Sequence, residues 1–241
     1  MIKSLTHGYA RFRLRYPIYF FHHIPKCGGS SVRDALESWF HVNDDYYNEN
    51  TKSSVPPVDL KPINSHNCIS GHFGHNEFFI DQRYPNVFEG LRARKRYRVF
   101  MFLRDPLEMR CSLYRHALKT GKSEHADLAS AIMPFNNYYA RIIHVNEENW
   151  KKKIDQYYFI GIADDELQLS FDLLANMIGK PKIELPKFNT TDEQGELSSK
   201  SLTTSQIADF NAANTLDYKI FNYVKDRIDS LKKPLIKSQT E

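Results

Sequence analysis

Residues 99–103 read Val-Phe-Met-Phe-Leu, without a polar side chain, and Arg104-Asp105-Pro106 follows at once. So short an apolar run lacks the alternation of a half-solvated strand. It reads as a strand covered on both faces, the environment of a parallel sheet. Asp105 suits an N-cap and Pro106 the first position of a following helix. Leu107, Cys111, Tyr114 and Leu118 would be that helix's buried stripe. The same succession stands earlier in the chain. Residues 18–22 are rich in β-formers, and from Ser30, which suits an N-cap, Val32, Ala35, Leu36, Trp39 and Phe40 fall on one helical face. Residues 68–70 and 157–162 are further short strands. Helices are expected around 136–144, 149–155, 164–178, 205–213 and 216–231, with Gly179 as a stop signal. Residues 43–67, 78–90 and 119–135 read as loops. Strands alternating with helices give an α/β fold with a mostly parallel central sheet flanked by helices. The 241 residues are assigned to a single domain, 1–241, with 1–16 as an N-terminal extension.

Composition narrows the function classes only mildly. Apolar residues make up 41% and charged residues 26%, ordinary for a globular protein, and the net charge of +4 suits an anionic ligand. Cys27, Cys68 and Cys111 stand far apart with no C-x-x-C pair, which favours a reducing compartment over a disulfide framework. No apolar run approaches the roughly 18 residues of a membrane span, and the N-terminus has no signal-peptide core, so a cytoplasmic protein without a membrane span is expected. No metal site is expected: His72 and His75 are three apart without cysteine or carboxylate partners at a familiar spacing.

Chemistry concentrates at two strand-to-helix junctions. In His23-Ile24-Pro25-Lys26-Cys27-Gly28-Gly29-Ser30-Ser31, the glycines let backbone N–H groups approach a ligand, and the helix start adds unpaired donors and a positive dipole end. Lys26 supplies a full charge, and Ser30 and Ser31 supply hydroxyls. The loop reads as a cradle for phosphate or sulfate, or else as a plain glycine turn with a stray lysine. It matches neither G-x-x-x-x-G-K-[ST] nor G-x-G-x-x-G. At the second junction, Arg104 stands at the C-terminal end of a buried strand, where open α/β sheets bind ligands. Asp105, Glu108 and Ser112 share a helical face opposite Leu107, Cys111 and Tyr114. Arg104 and Ser112 could share a second phosphate, or be a surface arginine and a helical serine. Taken together, the junctions point to one nucleotide with two separated phosphate groups.

The first junction resembles the 5′-phosphosulfate loop of sulfotransferases that use 3′-phosphoadenosine 5′-phosphosulfate (PAPS). Leu103-Arg104-Asp105-Pro106, with Arg110, Ser112 and Tyr114 after it, resembles their 3′-phosphate element. The resemblance spans residues 20–118, is faint beyond them, and is nearest to the carbohydrate branch that includes heparan sulfate 2-O-sulfotransferase. It implies a P-loop-like sulfotransferase fold and transfer of a sulfonate group from PAPS to a hydroxyl acceptor, a carbohydrate before a small natural product. 3′-Phosphoadenosine 5′-phosphate (PAP) would be the product, and no metal would be needed. Lys26, Cys27, Gly28, Gly29, Ser30 and Ser31 would hold the phosphosulfate, and Arg104 and Ser112 the 3′-phosphate. Residues 188–201, with Asn189, Thr190 and Lys200, resemble a loop closing over the adenosine.

His72, in Ser70-Gly71-His72, matches a Gly-His of the carbohydrate enzymes and is the candidate general base. Some relatives carry a second histidine where this chain has Ser70. His75 and then Glu77 are the fallbacks, His22 is expected to pack in or beside the sheet, and His23 to touch the nucleotide. Two other classes compete: a nucleotide-dependent kinase on a related sheet, and a nucleic-acid-binding module using the basic residues 92–98. A nucleic-acid partner is not expected.

Overall fold

The computed structural model describes residues 17–47, 56–75, 78–89, 95–123, 127–133, 136–186 and 197–237. Five parallel strands form the sheet: β1 (Ile18–His22), β2 (His41–Asp44), β3 (Asn67–Gly71), β4 (Tyr97–Leu103) and β5 (Phe159–Ile162), in the order β2-β3-β1-β4-β5. β1 lies at the centre, pairing Phe20 with Ile69 on one side and with Val99 on the other. All five of its residues are buried, as are those of β4 except Arg98. The apolar run 99–103 therefore sits between two strands and beneath helices on both faces.

The helices include α1 (Gly29–Leu36), α2 (Ile80–Arg83), α3 (Pro106–Lys119), α4 (Leu128–Ile132), α5 (Tyr138–Ile143), α6 (Trp150–Ile154), α7 (Leu167–Ile178), α8 (Thr204–Ala213) and α9 (Thr215–Lys237). Most of the apolar side chains join one core around Phe20, Phe21, Phe100 and Phe102. A smaller cluster of Leu107, Cys111, Tyr114, Leu128, Ala131, Ile132 and Phe210 lies between α3, α4 and α8.

Several details depart from expectation. β2 begins before the long polar stretch and runs into it. It is an exposed edge strand, so it lacks the apolar signal of a covered one. Short helices α2 and α4 occupy stretches read as loops. Ser30 is not the cap of α1; Gly28 is, in a left-handed conformation. The buried stripe of α3 ends at Tyr114, because Leu118 lies beyond the satellite cluster and is 41% exposed.

The topology places the site. From β1 the chain moves to the β3 side of the sheet, and from β4 it moves to the β5 side. The connections leaving adjacent strands β1 and β4 therefore diverge, opening a crevice at their C-terminal ends, the usual binding position in such sheets.

Candidate active site

A cleft of about 1030 Å³ opens at that crevice, ample for a nucleotide-sized ligand. The β1–α1 loop supplies Lys26, Gly28, Gly29, Ser30 and Ser31. His72 follows β3, Arg104 follows β4, α3 contributes Glu108, Ser112, Arg115 and His116, and Ser198, Ser199 and Lys200 close the far rim. The two junctions thus meet in one cavity.

The β1–α1 loop is shaped by backbone conformation. Lys26 has φ 63° and Gly28 φ 72°. A left-handed lysine is strained by on the order of 1–3 kcal/mol, a cost found mainly at ligand sites. A side chain at Gly28 would come within 2.6 Å of Leu167, and one at Gly29 within 1.9 Å of the His23 ring. α1 has neither a side-chain cap nor an acidic residue in its first turn, so its first N–H groups and positive dipole end remain available to an anion. Lys26 makes no ion pair among the described residues. Burial lowers its pKa, helped by the positive charges of Arg104, Arg115 and Lys119. The loop is therefore a region of uncompensated positive charge, which an anionic ligand would relieve.

Cys27 departs from its expected role. Its side chain is buried, with the thiol 3.5 Å from the Tyr139 hydroxyl, and its N–H reaches the Ile24 carbonyl at 3.4 Å. Burial pushes the thiol pKa up to about 12, so this cysteine packs beneath the loop and does not line the cleft.

The β4–α3 junction is held by carboxylates. Asp105 caps α3, accepting from the N–H groups of Leu107 and Glu108 at 2.9 and 3.1 Å. Asp164, after β5, accepts from Arg104 Nε at 3.2 Å and from the Asp105 N–H at 3.0 Å. Burial raises the pKa of both carboxyls. This helix start is already occupied by a carboxylate, so an anion here must be held by side chains. Arg104 and Ser112 both line the cleft. Arg110 and Tyr114 do not: both are buried, and burial lowers the Arg110 pKa to about 10. Arg115 was not singled out from sequence, although continuing the Glu108–Ser112 face by one turn reaches it. Its guanidinium donates to the Leu197 carbonyl at 2.7 Å, and the Ser199 hydroxyl donates to Glu108. These contacts dock the 197–201 segment, and with it Lys200, on α3. Asn189, Thr190 and Glu77 lie outside the described residues.

Tyr139 joins the two junctions from below. Its hydroxyl donates to the Arg104 carbonyl at 2.7 Å, the Arg104 N–H approaches it at 3.2 Å, and the Cys27 sulfur lies within hydrogen-bond reach.

The histidines differ sharply. His22 is fully buried; Nε2 lies 2.8 Å from the Phe73 carbonyl, which can only accept, so Nδ1 accepts from the Tyr157 hydroxyl at 2.9 Å. Burial holds its pKa near 4, marking it as structural. His72 lines the cleft, and its Nε2 is buried with no hydrogen-bond partner among the described residues. Burial, assisted by His75, lowers its pKa to about 4, so it is neutral through the ordinary working range and able to accept a proton. Its ring lies edge-on to His23, with centroids 4.4 Å apart. His75 is not among the cleft-lining residues; its Nε2 lies 3.1 Å from the Tyr138 hydroxyl. Among the described residues no group of three or more His, Cys, Asp or Glu side chains could hold a metal ion, and no helix is long and apolar enough to cross a membrane.

No protein-family model and no curated protein matches the chain. Among solved structures the chain is similar to a sulfotransferase from Alicyclobacillus acidocaldarius, at 14% identity and a TM-score of 0.44, over 82% of this chain and 95% of that one.

Proposed function

We propose that the cleft binds PAPS and that the protein transfers its sulfonate group to a hydroxyl acceptor. One observation carries this: an uncapped helix start beside a lysine with no ion-pair partner among the described residues, and an arginine–serine pair from a second junction, face the same cavity. A nucleotide with phosphates at both ends of its ribose meets both needs. The phosphosulfate belongs at Lys26, Gly28, Gly29, Ser30 and Ser31, and the 3′-phosphate at Arg104 and Ser112, with Lys200 at the rim. Asn189 and Thr190 keep the roles that the sequence resemblance gives them.

In the reaction the acceptor oxygen forms a bond to sulfur while the bond from sulfur to the bridging phosphate oxygen breaks. The electron pair leaves with PAP. His72 takes the acceptor proton, and Lys26 and the α1 N–H groups neutralise the charge growing on the leaving phosphate. The orphaned Nε2 of His72 fits a base whose partner arrives with the substrate. A carbohydrate is the preferred acceptor and a small natural product the second choice. PAP is then the product, and none of these steps calls for a metal.

Thermal unfolding tests the proposal. PAP should raise the melting temperature in the presence of a chelator, as any ligand specific to the native state does. Stabilisation by ATP only with magnesium would favour a kinase, and salt-sensitive stabilisation by an oligonucleotide would favour a nucleic-acid module.

A further inference from the structure

His23 is fixed more firmly than a passing nucleotide contact requires. Its Nδ1 lies 2.9 Å from the Tyr46 hydroxyl, which lies 2.9 Å from Ser70 Oγ. The ring stacks on Phe21, meets His72 edge-on, and lays its Cδ2–Nε2 edge against Gly29, so closely that this residue has no room for a β-carbon. Nε2 makes no hydrogen bond among the described residues, and the ring lines the cleft.

The chain of hydroxyls sets the tautomer. An imidazole nitrogen is a better acceptor than a serine hydroxyl, so Tyr46 donates to Nδ1 and accepts from Ser70. Burial raises the Tyr46 pKa, keeping that phenol protonated. The proton of His23 then sits on Nε2, at the cleft edge, between the anion loop and His72. That is where the transferring group must pass if the phosphate rests on the loop and the acceptor proton goes to His72. We propose that His23 is a further catalytic residue, a neutral imidazole whose Nε2–H donates a hydrogen bond to an oxygen of the transferring sulfonate. This rests on the PAPS reading of the cleft.

Neutrality suits the role. Burial, with the neighbouring His72 and His22 imidazoles and the Arg33 guanidinium, holds the His23 pKa near 3. A donor that does not change its charge offers constant polarisation of the oxyanion across the working range, as a neutral histidine electrophile does. No bond is made or broken at His23. The acceptor oxygen–sulfur bond forms and the sulfur–phosphate oxygen bond breaks as above, with the acceptor proton going to His72.

The test compares His23→Ala, His23→Gln, His23→Asn and Tyr46→Phe. Single-turnover release of labelled sulfate from PAPS, with water as acceptor, is read beside PAP affinity, and histidine ¹⁵N spectra of the wild type report the tautomer. His23→Ala should slow release by roughly a hundredfold or more, the usual scale for a lost oxyanion donor. PAP lacks the sulfonate, so its affinity should stay within about twofold. His23→Gln keeps an amide N–H near the Nε2 position and should recover most of the rate. His23→Asn, polar only near Nδ1, should not, and Tyr46→Phe should fall between. The spectra should show the Nε2–H tautomer, neutral at mildly acid pH, whether or not turnover with water is fast enough to follow. Wild-type rates in His23→Ala with PAP still bound, equal rescue by Asn and Gln, or an Nδ1–H tautomer would each overturn this role while leaving the PAPS site standing. A wild type that binds no PAP would overturn that reading and this one with it.

Discussion

Two helices begin at the edge of the same cleft, and they begin in opposite ways. α1 starts behind Gly28 with no side-chain cap and no acidic residue, beside a lysine that has no ion-pair partner among the described residues. α3 starts behind Asp105, whose carboxylate takes the first two free N–H groups, with Glu108 in its first turn and Asp164 holding Arg104. The first junction thus offers an anion backbone donors and a dipole, and stays electrostatically unsatisfied until one arrives. The second has spent its helix end on its own carboxylate and offers side chains in a fixed arrangement. In the proposed reading, the empty cap beside the strained lysine takes the reacting end of the nucleotide, where charge changes, and the satisfied cap beside the braced arginine takes the anchoring end, where charge is constant.

That contrast ranks the mutations. Lys26→Ala should do the most harm, lowering kcat for sulfonate transfer by roughly a hundred- to a thousandfold or more, while the melting temperature holds or rises because a repelled charge is removed. A variant with near wild-type kcat would erase the difference between the junctions. His72→Asn comes next, with kcat lowered about a hundredfold and PAP affinity little changed. The base must be neutral, and burial places its pKa near 4. In the wild type, kcat/KM should therefore fall only as pH drops through about 4, staying flat above, and the variant should lack that limb. Activity persisting in His72→Asn would pass the role to His75 or Glu77.

Arg104→Ala should act on binding. Losing charge-assisted hydrogen bonds of roughly 1.5–3 kcal/mol should weaken PAP by about ten- to a hundredfold, and adenosine 5′-phosphosulfate, which lacks the 3′-phosphate, far less. Calorimetry with both nucleotides reads the difference, and equal losses would make Arg104 a structural residue. Tyr139→Phe should be smallest. It removes the hydroxyl beneath both junctions, at about 1 kcal/mol for a neutral hydrogen bond. PAP and adenosine 5′-phosphosulfate should weaken together, by several-fold, because both ends shift. A loss confined to one nucleotide would show that Tyr139 braces one junction only.

The junctions were legible because their signals are local. Asp105-Pro106 carries its own cap, and the apolar run 99–103 announces a covered strand. Lys26-Cys27-Gly28-Gly29 was legible as a loop but not in detail. That Cys27 turns inward and Gly28 rather than Ser30 caps α1 depends on packing against Tyr139 and Leu167, which come more than a hundred residues later. β2 was missed because an exposed edge strand needs no apolar alternation. Arg110 and Arg115 look equivalent on paper. Only the satellite cluster decides that the first is buried and the second faces the cleft. The Ser70–Tyr46–His23 chain could not be read at all, since β2 and β3 had to be set in parallel before Tyr46 could reach His23.

The central claim is that the two junctions hold the two phosphates of one nucleotide. Calorimetric titration of the wild type, in chelator, with PAP, adenosine 5′-monophosphate and adenosine 3′-monophosphate tests it most directly. PAP should bind at least about tenfold more tightly than either mononucleotide, since each charge-assisted phosphate contact is worth more than 1.4 kcal/mol. Equal affinity for PAP and adenosine 5′-monophosphate, or binding that appears only when magnesium is restored, would contradict it.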